Sequence, residues 1–274
     1  MKIVYKKILA DTQDTKITKI VVDSPEIAQK ARPGEFVVLM ATEKGERIPL
    51  TVVSTEPSAG LVTLIFQELG FSTKLLGEFN KGDSLFAIVG PFGHPTEIKN
   101  YGKVIVVGGG VGIAVISPVA RALKEAGNNV TSILGARNKE LLILESEMKE
   151  YSDNIFITTD DGSYGQKGFV TDVLKKLLDE SKYDIVYAVG PIPMMEMVSN
   201  VTKDFNVKTV VSLNSLMVDA TGMCGGCRVT IGGEVKFTCV DGPEFDGHLV
   251  DWNNLKKRSR VYKEREGHIC NLKK

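Results

Sequence analysis

The stretch that decides the fold is Val104–Gly112, with the sequence VIVVGGGVG. Its uninterrupted apolar start is typical of a strand that is buried on both faces of a sheet. The glycines after it predict a tight turn. Ser117 and Pro118 are then predicted to be the N-cap and the first-turn proline of a helix that runs to Lys124. We interpret this strand, turn and helix as the start of a βα unit.

The same alternation continues to about residue 210. Short apolar runs predict further strands, and the segments between them predict helices. Such alternation indicates a parallel sheet with helices on both faces, which binds ligands at the carboxyl ends of its strands. The predicted strands are Val130–Leu134, Ile155–Thr159, Ile185–Val189 and Thr209–Val211, and the predicted helices are Lys139–Glu150, Val170–Leu178 and Pro193–Asn200.

Residues 1–98 show a β pattern instead. Short β-rich runs alternate with turn pairs such as Pro33-Gly34 and Gly82-Asp83, as strands joined by tight turns require. Short strands at close spacing predict a small β-barrel. The predicted strands are Ile17–Val22, Phe36–Met40, Leu50–Val53, Leu61–Gln67 and Ser84–Val89.

The C-terminal segment, residues 211–274, holds the cysteines. Cys224, Cys227 and Cys239 are three of the four cysteines of the chain, and Asp219 precedes them in a glycine-rich Asp-x4-Cys-x2-Cys-x11-Cys pattern. This spacing resembles the plant-type pattern for a [2Fe–2S] cluster, with the aspartate in the place of the first cysteine. A structural zinc site is the alternative, since zinc also accepts three cysteines and one further ligand. Cys270 is an alternative fourth ligand.

Composition excludes some classes of partner. The 274 residues include 34 Lys and Arg against 34 Asp and Glu, so charge gives no argument for a nucleic acid or a membrane surface. No apolar run approaches the roughly 18 residues of a membrane helix, and the N-terminus shows no signal-peptide pattern. Clustered thiols without a secretion signal predict a cytoplasmic location and a metal or redox role.

Segments at four predicted strand ends are candidates for binding a nucleotide. The glycine run lets a pyrophosphate approach the backbone near a helix start, and a plain strand-to-helix turn is the alternative. An arginine follows the second strand where a Rossmann fold usually has an acid. It could contact an adenosine phosphate or the diphosphate, or be a surface arginine, so NAD and NADP both stay open. The aspartates after the third strand suit ribose hydroxyls or form a polar turn. The Gly-Pro turn after the fourth suits a nicotinamide or simply begins a helix. The candidates are Gly109, Gly110, Val111, Gly112, Arg137, Asp160, Asp161, Gly190, Pro191 and Met194.

Six segments together resemble the ferredoxin–NADP reductase superfamily over nearly the whole chain: Pro33–Val37, Arg47–Thr51, Gly90–Gly93, Gly108–Ala114, Gly135–Arg137 and Gly190–Met195. The resemblance implies a β plus α/β fold. It consists of an N-terminal FAD-binding β-barrel (1–98), a Rossmann-like nicotinamide-binding domain (99–210) and a small C-terminal [2Fe–2S] domain with a polar tail (211–274). An arginine, backbone amides and hydroxyls suit a flavin dinucleotide. The residues expected to bind FAD are Arg47, Pro49, Leu50, Thr51, Leu64, Phe66, Gly70, Ser72 and Thr73.

The cysteine loop narrows the resemblance to one branch. It is similar to the electron-transfer subunits of dihydroorotate dehydrogenase B, which have four cysteines. Asp219 and the segment Cys239–Phe245 resemble more closely the small subunits of NADH-dependent ferredoxin–NADP oxidoreductases, electron-bifurcating transhydrogenases also called sulfide dehydrogenases.

This resemblance implies electron transfer between NAD(H), FAD and a [2Fe–2S] cluster held by Asp219, Cys224, Cys227 and Cys239. It also implies a larger partner subunit that carries flavin and [4Fe–4S] clusters and serves ferredoxin and NADP(H). No acid–base catalytic residue is expected, because the protein only positions and tunes its cofactors. The alternatives are a dihydroorotate dehydrogenase subunit and a nucleotide-binding module with a structural zinc.

Overall fold

The computed structural model describes residues 1–262, which form two compact units. Unit 1 contains Met1–His94, Asn214–Pro243 and the segment that begins at Asp251. Unit 2 contains Pro95–Leu213 and Glu244–Val250. The three-domain division at residues 98 and 210 stays a prediction. The two compact units divide the cysteine segment differently: Asn214–Pro243 belongs to unit 1 and Glu244–Val250 belongs to unit 2.

The helices and strands of residues 1–262 fall into an N-terminal β-rich group and a later group that contains the βα alternation. Those of the N-terminal segment are β1 (Ile3–Asp11), β2 (Lys16–Asp23), α1 (Pro25–Lys30), β3 (Phe36–Met40), β4 (Ile48–Glu56), β5 (Leu61–Gln67), α2 (Phe71–Glu78) and β6 (Ala87–Phe92). Those that follow are β7 (Lys103–Gly109), α3 (Gly112–Glu125), β8 (Asn129–Ala136), α4 (Glu145–Glu150), β9 (Asn154–Thr159), β10 (Gln166–Lys167), α5 (Val170–Glu180), β11 (Ile185–Val189), α6 (Ile192–Asp204), β12 (Lys208–Ser212), β13 (Arg228–Ile231), β14 (Glu234–Phe237), α7 (Thr238–Asp241), β15 (Glu244–Asp246) and α8 (Trp252–Arg258).

The first six strands form an antiparallel sheet in the order β1-β2-β5-β4-β3-β6. Its two ends meet, because the amide of Ile3 donates to the carbonyl of Asp83 (2.9 Å) and the amide of Leu85 donates to that of Met1 (2.9 Å). Alternate side chains of each strand point inward and form the core. The predicted barrel is confirmed, and its core includes Ile20, Val22, Leu39, Leu64, Phe66 and Leu76.

Several barrel elements differ from the sequence prediction. β1, α1 and α2 were not predicted. β6 begins at Ala87 and ends at Phe92, whereas the predicted strand was Ser84–Val89. The cause is that Ser84 and Leu85 bond to the chain start instead of β3, while the strand continues through Gly90 and Pro91, which normally interrupt a strand.

Unit 2 is built on a seven-stranded sheet in the order β10-β9-β8-β7-β11-β12-β15. Every neighbouring pair is parallel except β12 with β15. The predicted parallel sheet is therefore confirmed. Successive strands leave β7 through β8 and β9 on one side and through β11 and β12 on the other. In such sheets the ligand crevice lies where the strand order reverses, here between the carboxyl ends of β7 and β11.

The helix after the glycine turn begins at Gly112, and Pro118 lies inside it. The predicted N-cap role of Ser117 is wrong, because its hydroxyl donates to the carbonyl of Ala114 at 3.0 Å. An ordinary residue at position 118 would bond that carbonyl through its amide, and proline has no amide hydrogen. The serine hydroxyl takes the place of the missing backbone bond, so α3 continues through the proline.

The predicted helix Lys139–Glu150 is wrong as a single element. A 3₁₀ turn covers Lys139–Leu141, and α4 begins only at Glu145. Leu144 between them has φ of 56°, a left-handed conformation that breaks a right-handed helix. Burial of Leu141 and Ile143 in the core accompanies this break.

The described part of the cysteine segment forms a loop, a hairpin, two short helices and the strand β15, which pairs with β12 of unit 2. β13 and β14 pair antiparallel, and α7 carries Cys239 directly after β14. α8 is held beside β13, because the amide of Asp251 donates to the carbonyl of Thr230 at 2.9 Å. Cys270, the alternative fourth ligand, lies outside the described residues. Within residues 1–262, no helix has both the length and the apolar character needed to cross a membrane.

Candidate cofactor sites

The glycine turn joins the carboxyl ends of three strands of unit 2. Gly110 has φ of 55°, and its amide donates to the carbonyl of Gly135 at the end of β8 (2.9 Å). A Cβ atom on Gly112 would overlap the carbonyl of Val189 at the end of β11. Glycine is therefore required at position 112 for the first turn of α3 to approach β11 this closely.

The turn after β11 lies directly beside the glycine turn. A Cβ atom on Gly190 would lie 3.2 Å from the Cα of Gly109, and the thioether of Met194 occupies the space beside both glycines. Pro191 precedes α6, which begins at Ile192. The structure thus brings Gly109–Gly112 and Gly190–Met194 together at the crevice. Val111 precedes α3 and lies half-buried in the same turn.

The ends of β8 and β9 are also joined. The amide of Asp160 donates to the carbonyl of Ala136 (3.1 Å), and that of Asp161 donates to the carbonyl of Arg137 (3.2 Å). Arg137 and both aspartates are exposed. Asp161 accepts a hydrogen bond from the amide of Ser163 (2.9 Å), and its contacts with Ser163 hold the pKa of its carboxyl below the usual value. This geometry favours the polar-turn interpretation for Asp161, while contact of Asp160 with a ribose stays a prediction.

Of the three flavin candidates on β4, Pro49 and Thr51 lie on the outer face of the barrel wall, and Leu50 does not. Leu50 packs toward the barrel core with Ile48 and Val52, so alternation places Pro49 and Thr51 on the opposite face. Pro49 pairs with Val38 and Thr51 pairs with Phe36 on β3. Paired residues share a face of the sheet, so these four side chains form one surface. Arg47 is exposed immediately before β4.

The second group of flavin candidates begins α2. Gly70 is the N-cap, and the hydroxyl of Thr73 accepts from the amides of Leu69 (2.9 Å) and Gly70 (3.1 Å). Ser72 donates a hydrogen bond to Glu46. A helix N-terminus favours a negatively charged group such as a diphosphate, so this turn fits the predicted role.

Two further flavin candidates are positioned differently. Leu64 and Phe66 have their side chains in the barrel core, with 0% and 2% of their surface exposed. Their side chains are therefore unavailable to a cofactor, and only their backbone could contact one. Their apolar character is fully explained by the core.

Two of the four proposed metal ligands are in contact with each other. The sulfur atoms of Cys227 and Cys239 lie 3.1 Å apart, and both side chains are 2% exposed. They pack in one apolar cluster with Phe36 and Val38 of β3 and with Ala220. Burial, and then the neighbouring Cys227 thiol, raise the pKa of Cys239 to about 12. Binding of a metal centre would therefore displace a proton from this thiol.

Asp219 and Cys224 form a second pair. The amide of Cys224 donates to the Asp219 carboxylate at 3.2 Å, and Cys224 is exposed. Amides also point at the sulfurs: that of Gly226 lies 3.3 Å from Cys224 Sγ, and that of Cys239 lies 3.5 Å from Cys227 Sγ. Amides directed at sulfur are one of the features that set the potential of iron–sulfur clusters.

The donor set fits a binuclear cluster. Among residues 1–262, no three histidine, cysteine or acidic side chains come together as a ligand group for a single metal ion. Cys227 and Cys239 are in sulfur–sulfur contact, whereas Asp219 meets Cys224 through the backbone amide. Three thiols and a carboxylate match the number of protein ligands that a [2Fe–2S] cluster takes, and zinc accepts the same donors. The assignment of these four residues as cluster ligands stays a prediction.

The residues that hold the backbone of this loop belong to no sequence motif. Arg258 of α8 donates to the carbonyls of Gly226 (2.9 Å) and Arg228 (3.1 Å). It lies far along the chain from the cysteines, in a segment read as a polar tail, so no motif pointed to it. Phe36 and Val38 are likewise outside every cysteine motif, because their contact with the cysteines arises only from the tertiary structure.

Known protein families match both halves of this arrangement. A model described as the iron–sulfur cluster binding domain of dihydroorotate dehydrogenase B matches residues 214–251, and one described as an oxidoreductase NAD-binding domain matches residues 106–200. The dihydroorotate dehydrogenase B (NAD(+)) electron transfer subunit homolog of Thermotoga maritima is 54% identical over 245 residues, covering 89% of this chain and 86% of that protein. The chain belongs to the dihydroorotate dehydrogenase B electron transfer subunit family.

Two solved structures extend the comparison. One, from a study of flavin-based electron bifurcation by the NADH-dependent reduced ferredoxin-NADP oxidoreductase, has a TM-score of 0.93 and 50% identity, and covers 99% of this chain and 96% of that chain. The ferredoxin-NADP+ reductase from Plasmodium falciparum, at 14% identity and a TM-score of 0.61, covers 77% of this chain and 94% of that chain, and shares the fold.

These findings confirm the predicted ferredoxin-reductase-like fold and the predicted cofactors. This member of the electron transfer subunit family is an oxidoreductase subunit with an iron–sulfur binding domain and a NAD-binding domain on a flavoprotein-type fold. The assignment of individual residues to FAD, NAD(H) and the cluster stays a prediction.

Proposed function

We propose that this protein is the NAD(H)-linked electron relay of a bifurcating NADH-dependent ferredoxin–NADP oxidoreductase. Unit 2 binds NAD(H), and unit 1 binds both FAD and a [2Fe–2S] cluster. When bound, flavin exchanges hydride with nicotinamide and single electrons with the cluster, a conversion that neither of the other groups performs. The 50% identity to a chain studied in that oxidoreductase supports this choice.

One observation carries the proposal. Cys227 and Cys239 pack on Phe36 and Val38 of β3. On the neighbouring strand β4, Thr51 pairs with Phe36 and Pro49 pairs with Val38. The proposed cluster ligands and the proposed flavin strand are therefore neighbours within one compact unit. A protein that passes single electrons from flavin to cluster needs these two sites to be adjacent.

Each group of residues has a distinct role in the proposal. The glycine turn and Gly190–Met194 seat the nicotinamide dinucleotide at the crevice of unit 2. The N-terminus of α2 holds the flavin diphosphate, with Arg47 as a further phosphate or ring contact. Asp219, Cys224, Cys227 and Cys239 bind the cluster. None of these residues is required to transfer a proton.

A larger flavin and [4Fe–4S] subunit is the proposed partner. Support comes from an apolar rim around the cysteine loop, formed by Leu216, Val218, Met223 and Val240, of which Met223 is 89% exposed. Large exposed apolar groups gathered beside a functional site are typical of a protein interface. Cysteines that bind an iron–sulfur cluster must not form disulfides, which supports a cytoplasmic location for the complex.

The second candidate function is electron transfer to a dihydroorotate dehydrogenase, which the relatives' name supports. The two candidates differ in partner and not in the chemistry of this chain. Purification of the native complex distinguishes them: an iron–sulfur flavoprotein partner supports the oxidoreductase, and a dihydroorotate-oxidising partner supports the dehydrogenase.

Anaerobic addition of NADH to the purified protein tests the relay itself. We expect the flavin absorbance to bleach and an electron paramagnetic resonance signal of a reduced [2Fe–2S] cluster to appear. A protein that contains stoichiometric zinc and no iron, or that binds no flavin after reconstitution, would contradict the proposal.

A further inference from the structure

The backbone of the cysteine loop is held by two arginines from outside the ligand set. Arg228, at the start of β13, donates to the carbonyl of Gly225 at 3.1 Å. Arg258, at the end of α8, donates through Nη2 to the carbonyl of Gly226 and through Nε to the carbonyl of Arg228. Three carbonyls around Cys227 thus accept from guanidinium groups.

One of these bonds leads directly to a proposed ligand. The carbonyl of Gly225 and the amide of Gly226 belong to the same peptide group. Arg228 binds the carbonyl end, and the amide end donates to Cys224 Sγ at 3.3 Å. Hydrogen bonds in series polarise one another, so the guanidinium strengthens the bond that the sulfur receives.

Arg258 is fixed in place by its own helix. Trp252 and Leu255 are buried, and the Asp251 side chain caps the helix by accepting from the amide of Asn254 at 2.9 Å. Arg258 itself is half-buried, so its charge is less screened than that of a surface arginine. The match to the iron–sulfur domain model ends at residue 251, so α8 lies beyond it.

From this geometry we infer that Arg258 and Arg228 form a clamp that positions the cluster loop and raises the reduction potential of the cluster. The inference rests on the proposed cluster ligands. Three thiolates and a carboxylate concentrate negative charge in the loop. Reduction adds one more negative charge, and a nearby guanidinium stabilises the reduced form more than the oxidised form.

The experiment compares Arg258→Gln, Arg258→Lys and Arg228→Gln with Lys257→Gln in the purified protein carrying its flavin and cluster. Lys257 is exposed on the same helix, so its variant removes the same charge without touching the loop. The readouts are the midpoint potential from a titration followed by electron paramagnetic resonance, and the rate of cluster loss to a chelator.

We expect both glutamine variants of the arginines to have a more negative midpoint potential, and Arg258→Gln to lose its cluster roughly fivefold faster or more. Arg258→Lys should have a midpoint potential close to that of the wild type, because an ammonium group keeps the charge. It should still lose its cluster faster than the wild type, because an ammonium group does not span two carbonyls in a fixed geometry. Lys257→Gln should match the wild type.

The inference is overturned if Arg258→Gln keeps the wild-type potential, or if Lys257→Gln shifts it equally. If Arg258→Gln does not hold a cluster, Arg228→Gln provides the test, since Arg228 is exposed and its removal leaves the packing intact. A wild-type midpoint potential in Arg228→Gln would then overturn the inference. A wild-type protein without a cluster would instead contradict the proposed function.

Discussion

Asp219 distinguishes this loop from one with four cysteines. Its carboxylate accepts from the amides of Thr221 (2.9 Å) and Cys224 (3.2 Å). These bonds, that from Thr221 first, hold the pKa of the carboxyl below its usual value. The side chain is therefore charged at neutral pH, as a metal ligand must be.

Replacing this carboxylate tests whether it is a ligand. We expect Asp219→Ala to weaken cluster retention at least roughly tenfold, because loss of a ligand costs no less than loss of an outer partner. Asp219→Cys should retain the cluster with a changed midpoint potential and spectrum. Iron content and electron paramagnetic resonance measure both effects. The control is Glu234→Ala, which removes an exposed carboxylate from the nearby hairpin. Wild-type behaviour in both Asp219 variants would show that Asp219 is not a ligand.

Glu244 is a second unusual carboxyl group. Burial raises its pKa to about 7, against the opposing effect of the hydrogen bond that Thr96 donates at 2.6 Å. Because the pKa is higher in the folded state than the ordinary value of 4.5, ionisation favours unfolding. The contribution of Glu244 to stability is therefore greatest below about pH 4.5 and is lost as the pH rises to about 7.

Substitution of Glu244 by Gln should remove this loss. We expect Glu244→Gln to increase the free energy of unfolding at pH 8 by on the order of 2 kcal/mol, with little effect near pH 4.5. Denaturant titrations at the two pH values measure the difference, with Glu234→Gln as the control. An equal effect at both pH values would contradict the assignment of the raised pKa.

At the scale of elements, the glycine turn and α3 act as one piece. Gly112→Ala would place a Cβ against the carbonyl of Val189, so we expect a loss of about 1–3 kcal/mol in stability and weaker NADH binding. The KM for NADH with an artificial electron acceptor measures the second effect. Arg121→Ala on the same helix is the control, because it removes only an exposed ion pair with Glu125. An unchanged KM in Gly112→Ala would argue against a nucleotide at this turn.

Elements that are apolar throughout were predictable. The run Val104–Val107 predicts β7 correctly. Four consecutive branched apolar residues fit a strand that is buried on both faces, and all four are buried. Local signals failed where tertiary contacts overruled them. A proline after a serine predicts the first turn of a helix, but the Ser117 hydroxyl lets α3 include Pro118 in its interior. The sequence of β1 does not predict a strand, since four of its nine residues are exposed and the apolar pattern is weak. The strand forms because it pairs with β2.

The candidate sites were predictable to the extent that their residues form motifs. The cysteine and glycine spacings identified the loop and the turn. The outer surface of β3, the α2 N-terminus as a helix start, and Arg258 became visible only in the structure. The surface of β3 and the contacts of Arg258 depend on residues distant in sequence, whereas the α2 N-terminus is capped locally by Thr73.

At the scale of the whole molecule, the apolar rim predicts how the subunit joins its partner. Met223→Glu should weaken association with the proposed larger subunit by roughly tenfold, because a charge buried against an apolar interface is poorly tolerated. Co-purification and size-exclusion chromatography measure it. Phe169→Glu is the control, since Phe169 is 64% exposed on unit 2 and lies outside the rim. Equal loss of association in both variants would assign the effect to general surface charge.

The polypeptide passes from one unit to the other four times, after His94, Leu213, Pro243 and Val250. No single cut can therefore release either unit intact. A fragment that ends at Leu213 lacks every proposed ligand of the metal centre, and one that begins at Asn214 lacks the barrel. A fragment that ends at His94 keeps the proposed flavin residues but loses the cysteine loop. The proposed flavin and cluster sites of unit 1 can therefore be kept together only in a chain that also contains unit 2.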